Sequence, residues 1–151
     1  MINSTSLRFP LFALCLLILN SCATVPVGNE SEKANAVTFS PPPGMANVYI
    51  IRREAYAGAA ILTNASLDTQ MVGGLQTGSF ILRTVAPGPH TVSVFSNENQ
   101  SSVPFDAEAG QNYYFDVKSE MGWITARFVI HPMPEAEAKA AVERCKITAP
   151  L

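Results

Sequence analysis

Hydrophobic and polar residues alternate along most of the chain after Asn47. The stretch VPFDAEAG (103–110) places Val103, Phe105 and Ala107 on one face of an extended chain and acidic residues on the other. The stretch YYFDVK (113–118) repeats the pattern. A period of two is typical of β-strands that bury one face, so this part of the protein is predicted to be built from sheets.

Five further stretches have strand character, and turn sequences separate them. These predicted strands are 47–53, 60–68, 79–85, 91–96 and 123–130. Turns containing glycine fall between strands at VGG, APGP, EAG and EMG, and we interpret the glycine-rich MVGGLQTG (71–78) as a hairpin turn. About seven short strands without crossover helices predict an antiparallel β-sandwich.

The pattern changes to a helical period near the C-terminus. The stretch PEAEAKAAVERCK predicts a helix over 134–146, with glutamates in its first turn and Arg144 and Lys146 at its end, as the helix dipole favours. Residues at i, i+3, i+4 and i+7 form its apolar face: Ala138, Ala141, Val142 and Cys145. We expect this face to pack on the sandwich or to cover an edge strand.

The N-terminus carries an uninterrupted apolar run. PLFALCLLIL (10–19) follows a short polar segment whose only charge is Arg8. Three interpretations are open: a spanning helix, an ordinary secretory signal, or a signal that ends in a lipid acceptor. About 20 apolar residues are needed to cross a bilayer core, whereas signal peptides use about 7–15. The short run therefore favours a cleaved signal over a spanning helix.

The next residues narrow this choice. LNSC (19–22) resembles the bacterial lipobox, in which an aliphatic residue three positions before a cysteine and a small residue directly before it mark the site of acylation. The resemblance implies that residues 1–21 are cleaved off as a lipoprotein signal peptide, that the thiol of Cys22 receives diacylglycerol and that its amine is acylated. Asn20 differs from the commoner residues at its position. Two or more acyl chains make a lasting anchor, and Ala23 implies the outer membrane, with the protein facing the periplasm.

Residues 22–46 have almost no hydrophobic periodicity and end in PPPGMA. We predict a lipidated N-terminus and a flexible tether over this range, with an r.m.s. reach of about 25–30 Å. The β-sandwich domain is predicted over 47–148. A proline-rich docking motif is the alternative interpretation of the three prolines.

The three cysteines have different expected fates. Cys15 leaves with the signal and Cys22 becomes a thioether, so Cys145 keeps the only thiol and no intrachain disulfide can form. One interpretation of Cys145 is a reactive or intermolecular thiol. The other is a small core residue, which its place on the apolar helix face favours.

Composition and charge argue against several classes of function. The chain has 151 residues and a formal net charge of −2, which suits one modest domain. Lysine and arginine form no cluster in the sequence. This argues against nucleic acid or anionic lipid headgroups as the main partner.

No set of catalytic residues stands out. The only two histidines, His90 and His131, are too few for an ordinary metal site, and neither has an obvious orienting acid. The sequence has no G-x-S-x-G elbow and no phosphate-binding glycine loop. We therefore predict that the protein is not an enzyme and has no catalytic, cofactor-binding or metal-binding residues.

Three aromatic residues and two arginines are candidates for ligand contact. Trp123, Tyr113 and Tyr114 could stack on a glycan, although aromatic residues in strands mostly pack in cores. Arg52 and Arg53 end the first predicted strand, where at most one faces the core. A buried arginine there would need a carboxylate partner, and a solvated pair is the simpler expectation.

Four motifs, in their order and spacing, resemble the bacterial lipoprotein family catalogued as domain of unknown function 2846. They are AxVY[IV]xR at 46–52, GS[YF] at 78–80, PGxH at 87–90 and GxxYY at 110–114. The PGxH motif also occurs in PEGA-type and other carboxypeptidase-regulatory-like sandwiches. The resemblance implies a small β-sandwich on a lipid anchor, and it implies no agreed activity.

Two functional hypotheses follow. The first is a membrane-anchored envelope lipoprotein whose domain is a non-catalytic interaction module for another envelope component, such as a protein. The second is a module that binds a small ligand, such as a peptidoglycan fragment or another glycan. A continuous apolar strip or an open edge strand would favour the first hypothesis, and an aromatic and basic pocket would favour the second.

Overall fold

The computed structural model describes residues 25–149. Two helices lie in this range, α1 (Glu30–Ala36) and α2 (Glu135–Arg144). The strands are β1 (Ala46–Arg52), β2 (Thr63–Leu67), β3 (Gln70–Leu75), β4 (Ser79–Val85), β5 (Gly88–Phe95), β6 (Gln100–Ala107), β7 (Asn112–Met121), β8 (Ala126–Pro132) and β9 (Lys146–Ile147). The prediction of a mainly β protein with a C-terminal helix is confirmed.

The strands form two sheets. One sheet has five strands in the order β8-β7-β1-β4-β9, and the other has four in the order β3-β2-β5-β6. Neighbouring strands are antiparallel, except that β1 pairs with β7 and β4 pairs with β9 in the parallel sense. Parallel partners cannot be joined by a tight hairpin, and both pairs here are separated by long stretches of chain.

The sequence patterns do not predict β3 or β9. The segment interpreted as a hairpin turn is mostly strand β3. Gly73 lies in it at φ 147°, and an added Cβ would lie 3.2 Å from the side chain of Ile81 in the other sheet. Glycine at this position therefore permits close approach between the sheets. Strand β9 has only two residues, too few to show a period.

Strand β1 is buried on both faces at the centre of the molecule. Val48 and Ile50 belong to the core between the sheets, whereas Tyr49 and Ile51 belong to a second core beneath the helices. The core between the sheets also includes Leu75, Ile81, Val92, Val94, Phe115 and Phe128. The domain thus has three layers: the four-stranded sheet, the five-stranded sheet and the helices.

Helix α2 covers a face of the five-stranded sheet. All four residues of its predicted apolar face are buried, and they contribute to the second core together with Tyr49 and Phe80. The helix is shorter than the predicted range of 134–146. Pro134 is its N-cap, and Cys145 is already extended, with a ψ of 156°. The next residue, Lys146, begins β9.

The segment predicted as a flexible tether is packed on the domain from Val25 onward. Helix α1 begins with a capping box, in which Asn29 accepts from the backbone of Glu32 and the carboxylate of Glu32 accepts from the backbone of Asn29. Ala36 is fully buried, and its carbonyl accepts a 2.8 Å hydrogen bond from the hydroxyl of Tyr49. A short helix with one buried residue has no hydrophobic period, which explains why the prediction missed it.

Lys33 fastens α1 to α2. Its ammonium group donates to the carbonyls of Val142 and Cys145, at the C-terminal end of α2, and lies 5.2 Å from the ring centroid of Phe80. The last carbonyls of a helix have no partners within the helix. A lysine from the N-terminal segment satisfies them here.

The N-terminal residues also extend the five-stranded sheet. Val27 forms an antiparallel bridge with Thr148, and the Gly28 amide donates to the Ile147 carbonyl at 2.9 Å. The predicted signal peptide at 1–21 and the predicted acylation site Cys22 lie outside the described residues. Neither α1 nor α2 is long and apolar enough to cross a membrane.

Candidate functional site

The β7–β8 hairpin projects beyond the rest of the five-stranded sheet. Strand β1 pairs with β7 only as far as Asp116, whereas β7 and β8 remain paired up to Met121 and Ala126. Five residues at about 3.4 Å each make a projection of roughly 17 Å. The turn at its end lies away from both cores.

Large apolar side chains at the end of this hairpin are exposed. Met121 is 98% exposed, Trp123 94% and Ile124 91%. We call these three residues the apolar tip. Single exposed apolar residues are common on protein surfaces, but three bulky ones within four positions form a patch that indicates an interaction site.

The backbone of the apolar tip is held by Glu98 from the β5–β6 turn. Its carboxylate accepts 2.8 Å hydrogen bonds from the amides of Trp123 and Ile124, and a third from the amide of Thr125. These backbone bonds, led by that of Thr125, lower the pKa of Glu98 to about 2. The backbone of the tip is therefore fixed, because three consecutive amides donate hydrogen bonds to the same carboxylate.

Gly122 makes this turn possible. A Cβ at this position would lie 2.1 Å from the Thr125 carbonyl oxygen and 2.4 Å from the Glu98 carboxylate. Such contacts are far inside van der Waals distance. Only glycine therefore fits between the apolar residues on either side of it.

The structure corrects the predicted strand at 123–130, which begins only at Ala126. The amides of the three preceding residues donate to Glu98 and so do not enter the ladder. The side chain of Asn99 likewise accepts from the Phe128 amide at 3.0 Å and donates to its carbonyl at 2.7 Å. Residues from a turn 25 or more positions away thus decide where β8 begins.

The three aromatic residues proposed for glycan stacking have different surroundings. Tyr114 is buried and stacks on Tyr49 with ring centroids 5.1 Å apart. Tyr113 is partly buried, packs on Phe105 with centroids 5.0 Å apart, and its hydroxyl accepts from the Glu108 amide. Of the three, only Trp123 presents its ring to a ligand.

Arg52 is buried, so the simpler expectation of a solvated pair with Arg53 is wrong, and its guanidinium has no carboxylate partner. Its guanidinium donates to the carbonyls of Gly58 and Ile61 at 2.6 Å and of Leu75 at 2.9 Å, over the ring of Phe128. Burial lowers its pKa. Neutral carbonyls and an aromatic face thus take the place of a carboxylate. Arg52 thereby fastens the β1–β2 loop at the same end of the sheet as the apolar tip.

Arg53 lines a cleft of about 320 Å³ on the neighbouring surface. Its guanidinium contacts the buried carboxylate of Asp116 at 2.6 Å and lies 3.9 Å from Glu137. The hydrogen bond that Arg53 donates to Asp116 raises the pKa of Arg53. Lys118 lies 3.8 Å from the same carboxylate. The cleft therefore has partly exposed cationic groups whose charge is largely neutralised by acids.

His90 has an acidic neighbour that the sequence did not reveal. Its Nδ1 lies 2.9 Å from the Asp68 carboxylate, and its Nε2 lies 2.9 Å from the Ala86 carbonyl. Both partners are acceptors, so this arrangement favours the protonated imidazole, in which both ring nitrogens can donate. The hydrogen bond that the ring donates to the Asp68 carboxylate raises the pKa of His90 accordingly. His131 is exposed on β8, opposite Asp116 in the ladder.

The remaining candidates are structural. Cys145 is buried with its Sγ 4.0 Å from the Arg52 carbonyl oxygen, and burial raises the pKa of its thiol. Its interpretation as a small core residue is confirmed. Within residues 25–149, no three histidine, cysteine or acidic side chains are grouped so that they could hold a metal ion.

Side chains bond some of the backbone groups at the two open sides of the sandwich. At one side, the hydroxyl of Ser101 accepts from the Ile130 amide in β8 at 3.2 Å, next to the bonds from Asn99. At the other, Arg83 donates to the Val72 carbonyl in β3. Edge backbone groups that already have partners are poor templates for an added strand. This arrangement favours the apolar tip over the edges as a contact surface.

Comparison with known proteins identifies the family. Residues 42–130 match the family described as Protein of unknown function (DUF2846). An uncharacterized protein from Haemophilus influenzae (strain ATCC 51907 / DSM 11121 / KW20 / Rd) is 28% identical over 129 residues, which cover 85% of this chain and 76% of that protein. The family match includes β1 to most of β8 and the whole apolar tip, and it spans more than half of the chain. The chain therefore belongs to the DUF2846 family of proteins of unknown function.

Proposed function

We propose that the protein is a lipid-anchored component of the bacterial envelope whose domain is a non-catalytic interaction module. The observation that carries the proposal is the apolar tip, in which Met121, Trp123 and Ile124 are exposed on a turn fixed by Glu98. An exposed apolar patch lowers solubility, and these side chains add nothing to either core. Binding of the patch to another component therefore explains why it is present.

The anchor is proposed at Cys22, in the outer membrane with the domain facing the periplasm. It is supported by the short apolar run and by LNSC at 19–22. Only two residues separate Cys22 from Val25, which is the first described residue and is buried on the domain. Three peptide steps span at most about 11 Å, so the proposed anchor holds the domain close to the bilayer instead of on a long tether.

The non-catalytic part of the proposal is supported by the surroundings of the reactive groups. Both ring nitrogens of His90 are engaged, and the thiol of Cys145 is buried with a raised pKa. Neither group is therefore free to act as a base or a nucleophile.

Acyl labelling tests the anchor. Wild type is expected to carry the label and to enter the detergent phase, and Cys22→Ala is expected to lose the label or to stay uncleaved. Cys15→Ala is the matched control, because it removes a cysteine from the same leader and should keep the label. A labelled Cys22→Ala variant would contradict the proposal.

A second candidate is a module that binds a small envelope ligand such as a peptidoglycan fragment. The cleft beside Arg53 favours it, since a half-exposed guanidinium and the Lys118 ammonium border an open volume. Titration calorimetry with muropeptides tests it: Arg53→Ala should abolish any binding, and Arg127→Ala on β8 should not. Absence of heat with wild type would exclude these fragments as ligands.

A further inference from the structure

We propose that the apolar tip inserts into the lipid bilayer, so that the protein is attached to its membrane at two points. This inference rests on the proposed lipid anchor, and it names the lipid bilayer as the partner of the apolar tip. The second attachment is formed by Met121, Trp123 and Ile124 at the end of the β7–β8 hairpin.

The shape and size of the tip favour lipid over a second copy of the chain. The tip lies at the end of a hairpin that continues roughly 17 Å beyond the β1–β7 pairing, and its three side chains are more than 90% exposed. Together they offer on the order of 400–600 Å². A stable dimer needs about 800 Å² on each partner with complementary shapes. A bilayer accepts a small exposed apolar surface without a matching cavity. Tryptophan is also the side chain that favours the membrane interface, with its ring in the apolar part and its N–H near the headgroups.

The backbone of the tip is prepared for a medium with little water. Unpaired amides are costly in the apolar part of a bilayer. Here the amides of Trp123, Ile124 and Thr125 all donate to the Glu98 carboxylate. The turn can therefore enter the interface without exposing those three donors.

The charges around the tip make apolar insertion, not electrostatic attraction, the driving force. Glu120 and Arg127 are directly opposite each other in the β7–β8 ladder, and Lys118 is one further cation on the same hairpin. The negative charge of Glu98 is already engaged by the turn. We therefore expect the insertion to depend little on anionic lipid or on salt.

The direction of the N-terminal segment determines how the domain is oriented on the membrane. Strand β1 ends at the tip end of the sheet, β4 begins opposite that point, and β9 runs parallel to β4. Residues 25–28 run antiparallel to 146–149, so Val25 lies at the end of this segment that is farther from the tip. Anchor and tip can then both reach one bilayer only if the domain lies along the membrane surface.

The experiment uses Trp123 as its own reporter, because the chain has one tryptophan. Acylated protein is reconstituted into phosphatidylethanolamine–phosphatidylglycerol vesicles and, separately, into vesicles containing brominated phosphatidylcholine. Insertion predicts a blue-shifted emission and quenching by bromine on the acyl chains. The variant Met121→Asn/Ile124→Asn keeps the fluorophore and should lose most of both signals. Met71→Asn is the control, since Met71 is half-exposed on the opposite end of the sandwich.

The outcomes separate this inference from the anchor. Emission typical of an exposed indole, without bromine quenching, in protein that carries the acyl label would overturn the insertion and leave the anchor standing. A blue shift that depends on protein concentration and not on lipid would point to self-association and would also overturn it. If the protein carries no acyl label, flotation with the same vesicles tests the tip alone. Wild type should then float, with a partition coefficient roughly tenfold or more above that of Met121→Asn/Ile124→Asn.

Discussion

Strand β7 contributes apolar side chains to two regions, one in which they are buried and one in which they are exposed. Near its start, Tyr114 is buried under the helices with Tyr49 and Phe80. At its end, Met121 is almost fully exposed. Helices α1 and α2 cover the first region, and no part of residues 25–149 covers the second. The difference shows that an apolar side chain of this sheet is buried where a helix or the other sheet packs on it. Its place in a strand does not by itself bury it.

The comparison predicts that large-to-small substitutions have very different effects on stability in the two regions. Phe80→Ala should lower the free energy of unfolding by about 3–5 kcal/mol, because a fully buried ring is lost and a cavity is left. Trp123→Ala should change it by less than about 0.5 kcal/mol. Denaturant unfolding followed by circular dichroism measures both. A strongly destabilising Trp123→Ala would mean that the tip belongs to the fold.

Lys33→Met tests how helices α1 and α2 are held together over the five-stranded sheet. The variant keeps the aliphatic stem but removes the ammonium group from the carbonyls at the end of α2. We expect a loss of about 1–3 kcal/mol in the free energy of unfolding, since buried acceptors lose a charged donor. Lys146→Met removes the same charge from an exposed side chain and is the control. Equal effects from both variants would exclude the helix-fastening role of Lys33.

Glu98→Gln tests whether the Glu98 carboxylate keeps the backbone of the apolar tip ordered. The amides of residues 123–125 should exchange hydrogen faster in the variant, while the core amides of β1 keep their protection. In wild type, Glu98 has a folded pKa of about 2, below its ordinary value of 4.5. Its contribution is therefore complete above pH 4.5 and is lost as the pH falls towards 2. Glu120→Gln is the control, and unchanged exchange in Glu98→Gln would contradict the carboxylate's role.

His90 should give a small effect on stability, at the end of the sandwich opposite the tip. Its folded pKa is raised above 6.5, so its contribution to stability is complete below pH 6.5 and is lost as the pH rises through the folded value. The pair with Asp68 is partly exposed, and we expect less than about 1 kcal/mol. Unfolding at pH 5.5 and 8.5 measures the difference, which His90→Gln should remove and His131→Gln should leave. A difference that persists in His90→Gln would assign it to another group.

Much of the fold could be predicted from local patterns. The strand predicted at 79–85 is β4 at its observed bounds, and the helical spacing identified the three buried residues of α2 and the buried Cys145 that follows it. Strand β3 was missed because its glycines, which serve contact between the sheets, look like turn residues. Helix α1 was missed because its stability comes from a capping box and from Lys33, not from an apolar stripe.

The candidate site was only partly predictable. Trp123 was singled out from its residue type, but its exposure depends on Glu98, which is distant in the sequence. The same holds for Asp68 beside His90 and for the carbonyls around Arg52. Such pairings arise when loops from different strands meet at one end of a sheet, and local periodicity carries no information about them.

The sequence alone determined the alternation that builds the sheets, the apolar face of the last helix and the family motifs, because each depends on residues close together in the chain. The tertiary structure decided which faces are covered, where β8 begins and that the segment from Val25 onward packs on the domain. Those features depend on contacts such as that of Lys33 with Cys145 and that of Glu98 with Thr125. Contacts of this kind exist only once the chain has folded.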